Sequence, residues 1–329
     1  MVKFAAVIIS AAIFAALMGS SGIAPSFCAP YGAGFLRRST AMILYSVFVV
    51  LGAIILGHRV ARTLSGGIIP SGVGGHNVIN TGVFLVIMFS AITSLAVANF
   101  LKIPQSTSWV TVFSLIAAGL HFGSLNLSKI FFIFGAWVIL PLMAYLVSLY
   151  IHGKIYPPRS ENLRLYEMIF SNEKNLKAAT IIISCYVAFS IGTNNVANVS
   201  GPLKASGVVD NTFAALLLMS PLFGLGAALL GKGNLESSGR CIAPVGTATS
   251  LVVNFVTASF IVCASLAGVP QSLVQLNTAS LMAVSHVKNG FHYTLAAPHT
   301  RRTFFVWLVT PAIAFLLTFL ILRITGAGL

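Results

Sequence analysis

Apolar residues run almost without interruption through long stretches of this chain, and polar residues arrive in short clusters between and inside them. Helices that are apolar on every side give that pattern, whereas surface helices and half-buried strands alternate. Met1–Met18, Ser39–Gly57, Leu127–Ile151, Asn211–Leu230 and Thr303–Ile324 are long enough, or nearly so, to match the roughly 20 residues that carry a helix across a hydrocarbon core. A further pair, Ile79–Phe100 and Pro104–Leu120, meets at Pro104-Gln105-Ser106 with almost no loop. Either both arms of that pair cross, or both turn back as a re-entrant hairpin.

The pattern also repeats. The Gly-led polar interruption Gly19-Ser20-Ser21-Gly22-Ile23-Ala24-Pro25-Ser26 returns as Gly192-Thr193-Asn194-Asn195-Val196-Ala197-Asn198-Val199. Gly52 to Gly57 with Ile69-Pro70 returns as Gly226 to Gly231 with Ala243-Pro244, and Pro104-Gln105-Ser106 as Pro270-Gln271-Ser272. Trp137, Pro141 and Ala144 return as Trp307, Pro311 and Ala314. The order is kept throughout, so two related halves are expected, residues 1–151 and 178–329, with residues 152–177 between them as a basic linker on the membrane surface. An odd number of crossings per half, however the hairpin is counted, would invert one half relative to the other.

Composition sharpens this reading. With 57% hydrophobic and only 7% charged residues among 329, the chain cannot cover a soluble globule of its own size, so lipid must cover part of it. The net charge of +14 is scattered through short loops, which argues against nucleic acid as a partner and for the basic-loop bias that sets membrane orientation. Allocating the basic residues to sides puts the linker in the cytoplasm and both termini outside. The apolar N-terminus after Lys3 could be a cleaved signal, but its counterpart recurs in mid-chain, so it is expected to stay as a helix. Cys28, Cys185, Cys241 and Cys263 show no metal-ligand spacing and are expected in the core; no metal or cofactor is expected. The five acidic residues, Glu161, Glu167, Glu173, Asp210 and Glu236, fall in the linker or near membrane surfaces. An interior without carboxylates lacks the acid, base or metal ligands of a membrane hydrolase.

Polar breaks inside apolar spans are costly unless their freed backbone groups face protein or a watery cavity. The two Gly-led interruptions therefore predict two broken helices. The Pro104 and Pro270 turns predict two more helix starts, because Pro suits a first turn and the Gln-Ser that follows lies among unpaired N–H groups. Helix starts attract anions. Four of them converging would bind an anion without a buried Arg or Lys, and the expected ligands are Ser20, Ser21, Ser106, Thr107, Thr193, Asn194, Asn195, Asn198 and Ser272, with Gln105, Ser108 and Gln271 beside them.

At these residues the sequence resembles the inorganic phosphate transporter family, often called PiT, over nearly its whole length. That family carries Gly-Ala-Asn-Asp-Val-Ala-Asn in both halves and Pro-Val-Ser-Thr-Thr-His at each hairpin tip. Gly192-Thr193-Asn194-Asn195-Val196-Ala197-Asn198 matches the first pattern with Asn195 for the Asp, and the earlier copy has Gly22 there. Pro104-Gln105-Ser106-Thr107-Ser108-Trp109 keeps the hydroxyl cluster of the second pattern, and Pro270-Gln271-Ser272-Leu273-Val274-Gln275 keeps its Ser. The resemblance implies an all-α integral membrane fold of two inverted repeats with broken helices and re-entrant helical hairpins, one central anion, cation coupling by protons or sodium, and commonly a homodimer. Loss of both Asp residues is more similar to the sulfate-permease branch. The expected function is thus import of a tetrahedral oxyanion by symport across the plasma membrane, sulfate ahead of phosphate; an anion channel is the alternative from another class.

Overall fold

A computed structural model describes residues 2–70, 78–100, 105–156, 160–164, 167, 172–235 and 246–326. Pro104, Pro157-Pro158, Glu236, Arg240, Cys241 and Ala243-Pro244 lie outside the described residues. Every regular element among the described residues is helical: α1 Val2–Gly32, α2 Arg38–Arg62, α3 Thr81–Phe100, α4 Thr107–His121, α5 Leu127–Ile155, α6 Glu173–Asn194, α7 Ala197–Ala205, α8 Thr212–Leu230, α9 Thr247–Leu266, α10 Leu273–Asn289, α11 Phe291–Ala296 and α12 Pro298–Thr325. Among the described residues eight stretches are long and apolar enough to cross a membrane: α1, α2 with the π-turn Thr63–Gly67 that follows it, α3, α5, α6–α7, α8, α9 and α12. The arms α4 and α10, with 15 and 17 residues, fall short of a full crossing.

Sequence accounts for where these helices start. Asn126, Asn172 and Asn211 cap α5, α6 and α8 by accepting from the amides of Lys129, Asn175 and Phe213. Each cap satisfies a backbone donor that has no partner within the helix. Arg38 reaches back to the Ala228 carbonyl near the end of α8.

Glycines let the inner helices touch backbone to backbone. A Cβ on Gly52 of α2 would collide with the Phe189 carbonyl of α6, and one on Gly192 of α6 with the Val49 carbonyl of α2. The same reciprocal collision holds for Gly226 of α8 with Ala16 of α1, and Gly19 of α1 with Phe223 of α8. Small residues at such crossings are what allow membrane helices to pack closely. The hairpins are exchanged as well: α4 and α3 pack along α12, while α10 and α9 pack along α5. Elements before Ile155 and after Glu173 are thus interleaved instead of forming separate lobes.

One expected break is absent. The helix α1 runs unbroken through Ser20–Pro25, with Pro25 and Pro30 inside it. Ser20 Oγ donates to the Leu17 carbonyl at 2.8 Å, Ser21 Oγ to Met18 at 3.0 Å and Ser26 Oγ to Gly22 at 3.0 Å. Those hydroxyls return to their own helix, and Asn234 Nδ2 donates to the Ser20 carbonyl at 2.9 Å. The other break is real but short. α6 ends at Asn194 and α7 starts at Ala197, and across the joint Asn198 and Val199 bond three residues back, to Asn195 and Val196. Cys28 and Cys185 are buried as expected, whereas Cys263 lies on the exposed side of α9, where an apolar thiol can face lipid.

Candidate functional site

Both hairpin tips begin their second arm with a serine cap. Ser106 Oγ accepts from Trp109 N at 3.2 Å and Ser272 Oγ from Gln275 N at 3.2 Å, which starts α4 and α10 where the Pro-Gln-Ser spacing predicts. Each serine keeps its own hydroxyl hydrogen to donate.

Two asparagines of the α6–α7 joint reach these tips, one each. Asn198 Nδ2 donates to Thr107 Oγ1 at 3.3 Å and Ser108 Oγ at 3.2 Å. Asn194 Nδ2 donates to the Val269 carbonyl at 3.0 Å and Ser265 Oγ at 2.9 Å, while Asn194 Oδ1 accepts from Gln271 N at 2.9 Å. Thr193 Oγ1 also meets Ser265 Oγ, at 2.9 Å, and donates to the Ser190 carbonyl at 2.8 Å. Ser108 Oγ joins the two tips directly by donating to the Gln271 carbonyl at 3.0 Å. The starts of α4, α7 and α10 therefore converge. A fourth start is missing because α1 is continuous, and the hydroxyls of Ser20 and Ser21 are turned onto the Leu17 and Met18 carbonyls of α1 instead of this cluster.

The second tip is held from several sides. The carbonyls of Leu266, Gly268, Val269, Pro270 and Gln271 accept from Arg59 Nη1 (2.8 Å), Thr63 Oγ1 (2.7 Å), Asn194 Nδ2 (3.0 Å), Trp137 Nε1 (2.7 Å) and Ser108 Oγ (3.0 Å). Trp137 is in turn stacked on Trp109, their ring centroids 4.7 Å apart. Gly268 takes a positive φ of 67° here, a turn conformation that suits glycine. On the first tip Gln105 Nε2 donates to Ser94 Oγ at 3.4 Å.

Several buried polar atoms at the cluster have no protein partner: Gln105 Oε1, Asn195 Oδ1, Asn198 Oδ1, Gln275 Oε1 and both carboxamide atoms of Gln271. Such groups are expensive in a membrane interior unless a ligand or water meets them. Every one of them is neutral, and the described acidic residues, Glu161, Glu167, Glu173 and Asp210, are all exposed. Among the described residues no group of His, Cys, Asp or Glu is arranged to hold a metal ion. The cluster offers hydroxyl and carboxamide groups at the positive ends of three helices, a setting that suits an anion of high charge density.

The sequence profile of the phosphate transporter family matches residues 18–156 and 159–318, which takes in every element of the cluster. The chain belongs to the phosphate transporter family. The sulfate permease CysP of Bacillus subtilis is 31% identical over 326 residues, 97% of this chain and 87% of that protein. Sodium-dependent phosphate transporter 2 of Xenopus laevis is 33% identical over 130 residues, 37% of this chain and 19% of that protein. A solved structure of a sodium-dependent phosphate transporter superposes with a TM-score of 0.83 at 21% identity, covering 99% of both chains, so the fold is that of this family of multi-pass membrane proteins.

Within the phosphate transporter fold, five participants escaped the sequence reading: Arg59, Thr63, Trp137, Ser265 and Gln275. Trp137 was visible only as a repeat landmark, and Gln275 as the last member of a Ser-x-x-Gln capping box. Nothing local marks Arg59, Thr63 or Ser265, whose bonds span 207, 205 and 71–72 residues. His286, late on α10, is hydrogen-bonded to Tyr145 of α5, and His121, late on α4, packs edge-on against Phe122 and Phe319.

Proposed function

We propose that the protein is a secondary active symporter, not an enzyme, that imports an inorganic tetrahedral oxyanion across the cell membrane, with sulfate preferred. The observation that carries the reading is the meeting of three helix starts, α4, α7 and α10, among buried neutral hydroxyl and carboxamide groups. The proposed ligands are Gln105, Ser106, Thr107, Asn195, Gln271 and Ser272; Ser108, whose hydrogen goes to the Gln271 carbonyl, and Asn198, whose carboxamide nitrogen serves Thr107 and Ser108, join the parts of the site to one another. Thr193 and Asn194, whose polar atoms are engaged with Ser265 and the second tip, hold the site's shape. Ser20 and Ser21 enter only in a state where α1 opens at Pro25.

Sulfate at neutral pH carries no proton, so it asks for donors alone, and a site without carboxylates does not repel it. The similarity to a sulfate permease, 31% identical along 97% of the chain, supports the same substrate. Phosphate is the second reading, favoured by the unpartnered carboxamide oxygens, which could accept its O–H. Bringing a dianion into a cell that is negative inside costs roughly 4.6 kcal/mol per 100 mV, twice the value for one charge. A concentrative importer must offset this with at least two co-transported positive charges, protons or sodium.

In the same reading the halves, residues 1–151 and 178–329, are inverted in the membrane, which the reciprocal packing of α2 with α6 and α1 with α8 supports. The linker 152–177 then faces the cytoplasm, both termini face outward, and the protein forms a homodimer. Proteoliposome uptake of labelled sulfate, phosphate, molybdate and thiosulfate under imposed proton and sodium gradients tests the proposal. Saturable sulfate uptake that responds to one of the gradients is expected. Uptake that neither saturates nor responds to a gradient would point to a channel.

A further inference from the structure

Ser272 and Gln275 have the spacing of a capping box, in which the serine takes the amide of the third helical residue and that residue's side chain reaches back to the serine's own backbone. Only half of the box is made. Ser272 Oγ accepts from Gln275 N at 3.2 Å, while Gln275 Oε1 has no partner although the residue is only 3% exposed. Four residues earlier Gln271 is fully enclosed, at 0% exposure, and neither of its carboxamide atoms is bonded. Side chains on a helix lean toward its N-terminus, so Gln275 leans back toward the tip where Gln271, Ser272 and Ser108 meet.

These two glutamines supply what hydroxyl donors and helix starts do not. A carboxamide oxygen only accepts, and the same group still carries an NH2 to donate, so it does not repel an unprotonated anion as a carboxylate would. Sulfate and selenate bear no proton at neutral pH and have no need of the acceptor. Phosphate and arsenate keep at least one O–H that must find one. The first hairpin provides less: Gln105 is committed through Nε2 to Ser94, and the position matching Gln275 is Trp109, whose indole can only donate.

We propose that Gln275, together with Gln271, is a specificity-determining residue of the oxyanion site, taking the proton-bearing oxygen of phosphate or arsenate and thereby setting how much of these anions the site admits beside sulfate. The inference rests on the oxyanion reading above. It makes the second hairpin the side that reads the protonation state of the substrate, and it predicts that selectivity is altered by residues that leave sulfate itself in place.

The test uses the full chain in proteoliposomes, with labelled sulfate uptake competed by phosphate, arsenate and selenate. In Gln275→Leu, phosphate and arsenate should become weaker competitors by roughly tenfold, the size of one hydrogen bond left unmade, while selenate competition is unchanged. Gln275→Glu keeps the acceptor and adds repulsion, so selenate should weaken more than phosphate does. Both results are ratios within one preparation, so a poor yield of folded protein does not affect them, and if the leucine variant gives none the glutamate variant decides alone. An active variant with the wild-type ratio of phosphate to selenate competition overturns the role of Gln275 and leaves the oxyanion reading standing. Wild-type protein that takes up no labelled oxyanion overturns both.

Discussion

Asn194 and Asn195 are neighbours in one motif, yet replacing them should do opposite things. Asn194 is fully enclosed and makes three hydrogen bonds, to Ser265 Oγ, the Val269 carbonyl and Gln271 N. Interhelical hydrogen bonds in membrane proteins average about 0.6 kcal/mol each, so three come to about 2 kcal/mol. Asn194→Leu keeps the volume but strands the Gln271 N–H and the Val269 carbonyl, which adds about 1–3 kcal/mol. The expected loss is therefore about 3–5 kcal/mol. Asn195 is partly exposed and its Oδ1 has no partner, so Asn195→Leu removes no bond that holds the fold. Reversible unfolding in mixed micelles, followed by tryptophan fluorescence, measures the first effect, and uptake into proteoliposomes the second. Asn194→Leu should unfold far earlier than wild type, while Asn195→Leu should keep wild-type stability and lose transport. Wild-type stability in Asn194→Leu, or a larger loss in Asn195→Leu, would show that the joint does not hold the second tip as described.

Further outcomes follow from other features. Gly52→Val or Gly226→Val should abolish assembly of monodisperse protein, because the new side chain meets the Phe189 or Ala16 carbonyl, whereas Gly135→Ala, with nothing within 4 Å, should purify normally. Ser160→Cys, in the exposed linker, should be labelled by a membrane-impermeant maleimide only after the membrane is opened; labelling in intact cells would reverse the orientation. Asn195→Asp should weaken sulfate uptake more than phosphate uptake, since it adds repulsion for the first and an acceptor for the second; equal losses in a flux assay would count against a ligand role.

How much of this was legible in sequence depended on the range of the interaction. Long apolar runs located α2, α5, α8 and α12 to within a few residues, because hydrocarbon thickness dictates their length. Ser106 and Ser272 could be placed as helix starts because a cap is a local event. The opposite held at Ser20–Pro25. Serine hydroxyls can turn onto carbonyls three or four residues back and leave the helix continuous, as Ser20, Ser21 and Ser26 do. A break and a repaired helix therefore share one composition. The sharing of Asn194 and Asn198 between two tips was not legible either, since it depends on pairings 71 to 91 residues apart.

The five carbonyls of the second hairpin tip have a mechanical consequence. Their donors Arg59, Thr63, Ser108 and Trp137 all precede the linker, and Asn194 alone comes after it. The tip is continuous in chain with α9 and α10 but fastened to α2, α4 and α5. Any motion that preserves those bonds must carry the start of α10 along with helices of the first half. A rigid shift of residues 178–329 against residues 1–151 would have to break them.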